Sequence, residues 1–528
     1  MQHFKIWLIA LSMTLSLHGS GFYENAIKHL SESVTKSKNT LFSQLYPKLY
    51  YVPIWVGDEG LSYMAKDLFR HIRSDATLSP LSTINQSLIE IEKLAISVYH
   101  DRLAVEQKVA LELKITVLYY KYAKHLLYGN INWSSAKAKI NARQGAWVTH
   151  TPPYEPFSFL IASIKNGELN FDATKPRNFN FVKLEAEIKR YREYQLSGKW
   201  NQISDFGGLK LGSESSALPA LRERLKFLGD YDCATTSSTT VVDECFENAI
   251  KRFQKRHGLI ATGYITKKTK ALLIEPIEAK IRKMVLNLDR IKWLPRESHP
   301  KHIVINIPAF KLNFYSGEKI IQSMRVITGK WKNPTPIFND VVTTIVLNPY
   351  WNVPASILEK EMILDLHKNP NYLKRKNMKL YSGWDGKAID PSTVNWKKYK
   401  KGSKIPYRVA QNPGRGNALG KIKFLFPNKF AVYMHDTPSK SLFKRNVRAF
   451  SHGCIRLQNP RGLLKTFSSF NSNVDYTSAT KMLKGTTRKA IPLQERVPIN
   501  VVYLTTWVDE KGILNFRNDI YGYDRYQY

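Results

Sequence analysis

From about Phe22 to Trp200 apolar residues recur at three- and four-residue spacing, most plainly over Leu88 to Tyr99 and Arg102 to Leu127. That period predicts amphipathic helices. Gln144 to Pro156 breaks it with Pro152-Pro153 and several aromatics, and reads as a loop. No catalytic pattern stands out in this region, so a structural or docking role is the default. Further on, Leu218, Leu221, Leu225 and Leu228 share one helix face that Gly229 closes. Phe246, Ala249, Ile250 and Phe253 line a second helix ended by Gly258. After Gly263, Thr266 is placed to cap a third helix reaching Leu273. Three short helices make a small module, and another helix is predicted over Ile277 to Leu288.

The period then falls to two. Ile303, Ile305 and Ile307 alternate, as do Leu312 and Phe314, with Ser316-Gly317 as the turn. Further strands are expected at Ser323 to Thr328, Val341 to Leu347, Lys421 to Phe426, Phe430 to Met434 and Ile499 to Thr505. A lysine-rich insert between Trp351 and about Tyr407, helical over Ser356 to Leu366, interrupts them. It reads equally as a lid over a cleft and as a surface excursion.

Length and charge frame this pattern. A chain of 528 residues exceeds one core, and roughly 100 to 200 residues per domain gives three or four units. Apolar residues make up 43% and charged residues 23%, which excludes wholesale disorder. Lys plus Arg numbers 80 against 43 for Asp plus Glu, a formal charge of +37 that attracts polyanions. Nucleic acid, anionic lipid, teichoic acid-like polymers and carboxylate-rich peptidoglycan all qualify, as does a plain solvated basic surface. No helix-turn-helix, zinc-finger or RNP-type signature favours nucleic acid. The start, Met1-Gln2-His3-Phe4-Lys5, is basic, Ile6 to Leu17 is apolar, and Gly19, Ser20 and Gly21 are small. This is the layout of a signal peptide cut near Gly21, with an uncleaved anchor as the alternative. No later run approaches the length of about eighteen apolar residues that reads as a membrane span, so the exported protein is expected to be soluble outside the cytoplasmic membrane.

Three cysteines occur: Cys233, Cys245 and Cys454. In an oxidising compartment a Cys233 to Cys245 bridge would tie down the Ser/Thr-rich insertion Ala234 to Thr240. A zinc site is disfavoured by two isolated thiols without a nearby His pair. The cysteine left over is a candidate nucleophile. A thiol attacks as thiolate, so it needs a base or a cation nearby. His435, at the end of a predicted strand, and His452, two residues before Cys454, are the candidates. Gly453 lets backbone approach a reacting carbonyl, and the N–H groups around Gly453 and Cys454 could hold an oxyanion. Spacing alone fits a buried structural thiol as well.

Longer strings add to this. Leu221 to Gly229, Phe253-Gln254-Lys255-Arg256-His257-Gly258-Leu259, Thr262-Gly263 and Thr269 resemble a peptidoglycan-binding three-helix domain, although the insertion holding Cys233 and Cys245 departs from its short loop. Asn417-Ala418-Leu419-Gly420, Tyr433-Met434-His435-Asp436-Thr437-Pro438, Phe443, Arg448-Ala449-Phe450 and Ser451-His452-Gly453-Cys454-Ile455-Arg456-Leu457 together resemble the L,D-transpeptidase (YkuD-type) catalytic domain. Asn348 to Pro354 matches the stretch leading into a capping insert in the large periplasmic branch of that family.

The resemblance implies a multi-domain α+β fold: a mostly β L,D-transpeptidase catalytic domain with a helical capping insert, a three-helix peptidoglycan-binding-like module and an N-terminal helical scaffold. The expected boundaries are a signal peptide 1–21, scaffold 22–206, three-helix module 207–275, helical linker 276–300, catalytic domain 301–507 with its cap at about 355–407, and a C-terminal tail 508–528. It implies Cys454 as nucleophile and His435 as general base, with Tyr433, Ser451, His452 and Gly453 in supporting or oxyanion roles. Arg456 and Trp351 stand as substrate-binding residues, Arg456 fitting a structural salt bridge equally well. Asp436 follows the histidine where many members carry Gly or Ser, leaving open whether a carboxylate or a backbone carbonyl orients His435.

The implied activity is formation of 3-3 peptidoglycan cross-links in the periplasm, through a cysteine thioester, with D-Ala released from tetrapeptide stems. Those stems would be donor and acceptor, other cell-wall synthesis proteins are possible partners, and neither metal nor cofactor is implied. A lipoprotein lysine or water as acceptor, and a non-catalytic wall-binding scaffold, are the competing readings.

Overall fold

A computed structural model describes residues 21–100, 104–204, 206–233, 239–296, 299–369, 371–383 and 386–527. The expected signal-peptide segment Met1 to Ser20 lies outside them, as do Arg102 and Ala234 to Ser238 of the Ser/Thr-rich insertion. Among the described residues no helix is long and apolar enough to cross a membrane.

The first region is helical, as its period predicts. Helices including Tyr63–Ser74, Val105–Tyr128 and Pro156–Asn166 close on a core around Trp55, Leu68, Ile115, Leu118 and Tyr119. The predicted loop after Gln144 ends where Pro156 opens a helix and the Glu155 carboxylate accepts from the Phe157 and Ser158 amides. Ile131, Trp133, Ile140 and Trp147 turn away from this core and join that of the β domain. The helix Phe181–Leu196 in turn packs with the three-helix module.

That module has helices Leu218–Phe227, Glu244–Arg256 and Lys267–Leu273. Thr266 caps the third by accepting from the Thr269 amide at 3.2 Å. A disulfide joins Cys233 to Cys245, with 6.5 Å between their Cα atoms. Arg256 and Asp230 form a buried pair at 2.6 Å, and Arg256 also donates to the Leu514 carbonyl, fastening the module to the C-terminal segment.

The β domain is a nine-stranded sheet in the order Ala449–Ser451, Lys319–Gly329, Ile455–Leu457, Met434–His435, Ile422–Leu425, Phe338–Leu347, Lys489–Val502, Lys301–Asn306, Lys311–Ser316. Lys311–Ser316 also pairs with Lys319–Gly329, so the sheet closes on itself. Alternating apolar residues such as Ile303, Ile305, Leu312 and Phe314 fill the interior. The expected strand at Phe430 to Met434 begins later, at Met434, because Asn428 organises a turn. Its side chain accepts from the Phe430 and Val432 amides and donates to the Phe426 and Val432 carbonyls, and Ala431 takes φ +55°.

The insert folds around its own core of Leu358, Met362, Ile363, Leu366, Leu373, Leu380, Trp396 and Val409. A four-stranded sheet supports it, and its helix is interrupted by a π turn at Leu358–Met362. From that turn Glu361 reaches the β domain, 2.6 Å from His452 Nε2 and 3.4 Å from Lys330 Nζ.

The helix Ile277–Lys292 ties the regions together. Its Arg290 guanidinium is buried, ion-pairs with Asp524 at 2.7 Å and donates to Gln527 at 2.7 Å. Asp524→Ala strands this cation in the interior, and breaking such a pair costs about 3 kcal/mol or more. We expect the urea midpoint to fall accordingly; a loss within error of wild type would show that the pair does not hold the helix to the C-terminus. The cap contact should behave differently, since Glu361 and His452 are solvent-accessible. A double-mutant cycle with Glu361→Gln and His452→Gln should return a coupling of about 0.5 kcal/mol, and a value several times larger would mark a desolvated lock.

Candidate active site

The strand Met434–His435 runs parallel to Ile455–Leu457, with Met434 opposite Ile455 and His435 opposite Arg456. The Ile455 amide donates to the Tyr433 carbonyl at 3.0 Å, which carries the register back to Tyr433 and Cys454. On the other side Lys423 faces His435 and Phe424 faces Met434. Side chains alternate across a strand. Phe424, Met434 and Ile455 therefore enter the apolar core, and Lys423, Tyr433, His435, Cys454 and Arg456 share the opposite face. Five chemically active side chains from three strands meet there because their apolar neighbours are buried.

His435 is buried, and its Nδ1 lies 2.5 Å from the Asp436 carbonyl oxygen. A carbonyl only accepts, so Nδ1 carries the proton and Nε2 keeps its lone pair. A backbone carbonyl thus orients the ring. The Asp436 carboxylate is engaged elsewhere, accepting from the Lys421 and Thr437 amides at 2.9 and 2.8 Å and from Lys440 Nζ at 2.6 Å. Burial first, then the Arg456 charge, pulls the imidazole pKa down to about 3. The half-buried Cys454 thiol is pushed up, again by burial, against opposing effects of Tyr433, Lys423 and Arg456. At neutral pH this is a neutral thiol beside a neutral imidazole, with cations ready to stabilise negative charge on sulfur.

Tyr433 is held between neighbours: its ring sits 5.6 Å from that of His435, and Lys423 Nζ lies 3.6 Å from its centroid. Burial and the adjacent Cys454 raise its hydroxyl pKa, keeping it a donor. Ser451 is buried and braces the loop, donating to the Cys454 carbonyl at 2.6 Å and accepting the Gly453 amide at 3.2 Å. The Gly453 amide is therefore committed, which narrows the sequence expectation of two open N–H groups. Among the described residues the Cys454 amide has no partner. Gly453 takes φ +115°, a conformation open to glycine, and its carbonyl accepts from Thr335 Oγ1 at 2.8 Å. Thr335 in turn receives the Gly329 amide and donates its own amide to Tyr521 Oη.

His452 Nε2 is engaged by Glu361 of the cap at 2.6 Å and lies 3.2 Å from Lys330 Nζ. Arg456 makes no salt bridge among the described residues, and its Nε is buried without a partner. Trp351 lies on the cap sheet opposite Gln411, half-buried against the cap core. The structure thus groups Tyr433, His435, Cys454 and Arg456, with Ser451 and Gly453 as the loop beneath, and leaves His452 and Trp351 on the cap side. Lys423, Thr335 and Glu361 were missed. Lys423 alternates with Ile422 and Phe424 in the sequence, which marks it as facing away from the core, but its register against His435 is a tertiary fact. No group of three His, Cys, Asp or Glu residues that could hold a metal occurs among the described residues.

Residues 300–471 match the YkuD family, described as the L,D-transpeptidase catalytic domain; residues 40–188 match a scaffold domain, and residues 214–273 a "Putative peptidoglycan binding domain". A protein of Haemophilus influenzae described as "Putative L,D-transpeptidase" is 32% identical over 244 residues, covering 46% of this chain and 48% of that one. The chain thus spans about half the length of that curated relative. Among solved structures, an L,D-transpeptidase from Mycobacterium smegmatis aligns at 14% identity and TM-score 0.19 over 38% of this chain and 58% of its own. One from Stackebrandtia nassauensis aligns at 15% and 0.22 over 57% and 97%. Likeness at that level adds nothing to the domain matches. By those matches the chain carries an L,D-transpeptidase catalytic domain of the YkuD family at residues 300–471, behind a scaffold domain and a peptidoglycan-binding domain.

Proposed function

We propose that this protein forms 3-3 cross-links in peptidoglycan, outside the cytoplasmic membrane, with Cys454 as acyl carrier and His435 as general base. The observation that carries the reading is the Nδ1 contact of His435 with the Asp436 carbonyl, which leaves Nε2 as the lone-pair nitrogen on the face that also presents Cys454, the one free cysteine among the described residues. As Cys454 Sγ attacks the carbonyl of the third residue of a tetrapeptide stem, its proton passes to His435 Nε2. Charge developing on the carbonyl oxygen is met by the free Cys454 amide and the Tyr433 hydroxyl. The C–N bond breaks, the terminal D-Ala amine takes the proton from His435, and a thioester remains. The side-chain amine of a second stem, losing a proton to His435, then attacks the thioester and restores the thiol. The peptidoglycan-binding domain and the basic chain, formally +37, suit a carboxylate-rich wall polymer.

The test is mass spectrometry of the protein incubated with disaccharide-tetrapeptide. We expect D-Ala loss, an acyl adduct on Cys454 and a dimer with a 3-3 bond, all absent with Cys454→Ala. D-Ala loss without dimer would make water the acceptor, transfer only to a lysine-ended peptide would indicate an anchoring enzyme, and identical traces for both proteins would sink the cysteine mechanism.

The pKa directions give a second check. A raised thiol pKa means that the thiolate fraction is small at pH 7 and grows only as pH climbs past that raised value. A lowered imidazole pKa means that the base is lost only toward pH 3, where it would ordinarily be lost near 6.5. Iodoacetamide should thus alkylate Cys454 slowly at neutral pH and faster above pH 9, and the acid limb of acylation should lie nearer 3 than 6.5. Fast alkylation that is flat from pH 5 to 8 would indicate a thiolate–imidazolium pair instead.

A further inference from the structure

Two cations on the thiol's face lack a protein counter-ion. Lys423 Nζ rests on the Tyr433 ring, and Arg456 has a buried, unpartnered Nε. Among the described residues neither makes an ion pair with a carboxylate, and Asp436, the acid next to His435, is saturated by Lys421, Thr437 and Lys440. Burial disfavours the charged form of both, and Cys454 is the one neighbour that opposes this for each. Partly buried cations without anions are costly, and a ligand anion would repair both at once.

The strand register sets the two cations on either side of His435. Cys454 and Arg456 are two residues apart on one strand face, about 7 Å, and Lys423 stands across His435 on the other side. In the reaction proposed above, the donor ends in a free α-carboxylate one residue, about 3.8 Å, beyond the attacked carbonyl. We infer that Lys423 and Arg456 form a two-pronged subsite for the C-terminal carboxylate of the donor's leaving residue, with Lys423 as a specificity determinant that the sequence motif does not contain. The inference rests on that proposed reaction. It explains how the site would choose the last peptide bond of a stem: a bond further in the peptide presents an amide, which carries no charge for the two cations.

The experiment compares tetrapeptide donors ending in the free acid and in the C-terminal amide. Wild type should favour the acid in kcat/KM for acylation by roughly ten-fold or more, the worth of a charge-assisted hydrogen bond. Lys423→Met should shrink that ratio toward one, and Lys423→Arg should retain most of it. A wild-type ratio of one, or a ratio unchanged in Lys423→Met while both rates fall, would overturn the inference, the second result placing Lys423's action on the thiol. Because the wild-type ratio needs no variant, a misfolded Lys423→Met leaves the inference exposed to refutation. Calorimetric titration of Cys454→Ala with each donor separates the two readings. Acid-selective binding with no turnover in the wild-type protein would refute the reaction and keep the subsite; turnover of acid and amide alike would do the reverse.

Discussion

The site depends on one constraint, the parallel register that sets His435 opposite Arg456 and Met434 opposite Ile455. A slip of one residue would turn Cys454 into the apolar core and bring Ile455 out in its place, because side chains alternate across the sheet. The register is fixed from behind. Phe424, Met434, Ile455 and Leu457 are fully buried in one core, and none could be exchanged for its polar neighbour without stranding a polar or charged group in hydrocarbon. The chemistry on one face is thus held in place by hydrophobic burial on the other.

The loop that carries the thiol is secured by polar groups instead. Ser451 closes a local bond to the Cys454 carbonyl, and Thr335 holds the Gly453 carbonyl. Tyr521 then ties Thr335 and the Gly329 carbonyl to a chain segment close to the C-terminus. These groups are buried and mutually satisfied, which makes such a chain rigid. Against that rigid frame the site keeps unfavourable features: an uncharged buried imidazole, a desolvated thiol and two cations without anions. The fold tolerates them because its stability comes from elsewhere, in the closed sheet and the apolar core it encloses.

Much of this was legible in the sequence. Period-two alternation from Ile303 onward and the three helix faces from Leu218 to Leu273 correspond to observed elements, since both patterns report burial directly. The strand before His435 was read too long because Asn428 and Ala431 build a turn through side-chain and positive-φ geometry that hydrophobicity does not encode. Cys454 and His435 were legible as a pair of residue types in a known string. The carbonyl that orients His435, the loss of the Gly453 amide to Ser451 and the arrival of Lys423 were not, because each depends on a contact between segments and no local pattern announces it. Trp147 is the same case on a larger scale: it sits in the loop that breaks the helical pattern, yet packs beside Tyr503 and Tyr523 in the core of the β domain.

The contrast between the two kinds of joint says where the molecule can move. The helix Ile277–Lys292 is joined to the C-terminal segment through a guanidinium with no solvent access, and breaking that contact would leave a buried charge unpaired. From the π turn of the cap, the ion contacts to the β domain run through Glu361 to His452 and Lys330, all three solvent-accessible, so water replaces each contact as it breaks. The cap also has its own hydrophobic core, so it would keep its shape while separating. A closed sheet under a self-contained cap on a weak polar latch suits the reaction proposed above, whose donor stem is attached to a bulky glycan, and the latch lies on the residue next but one to the proposed nucleophile.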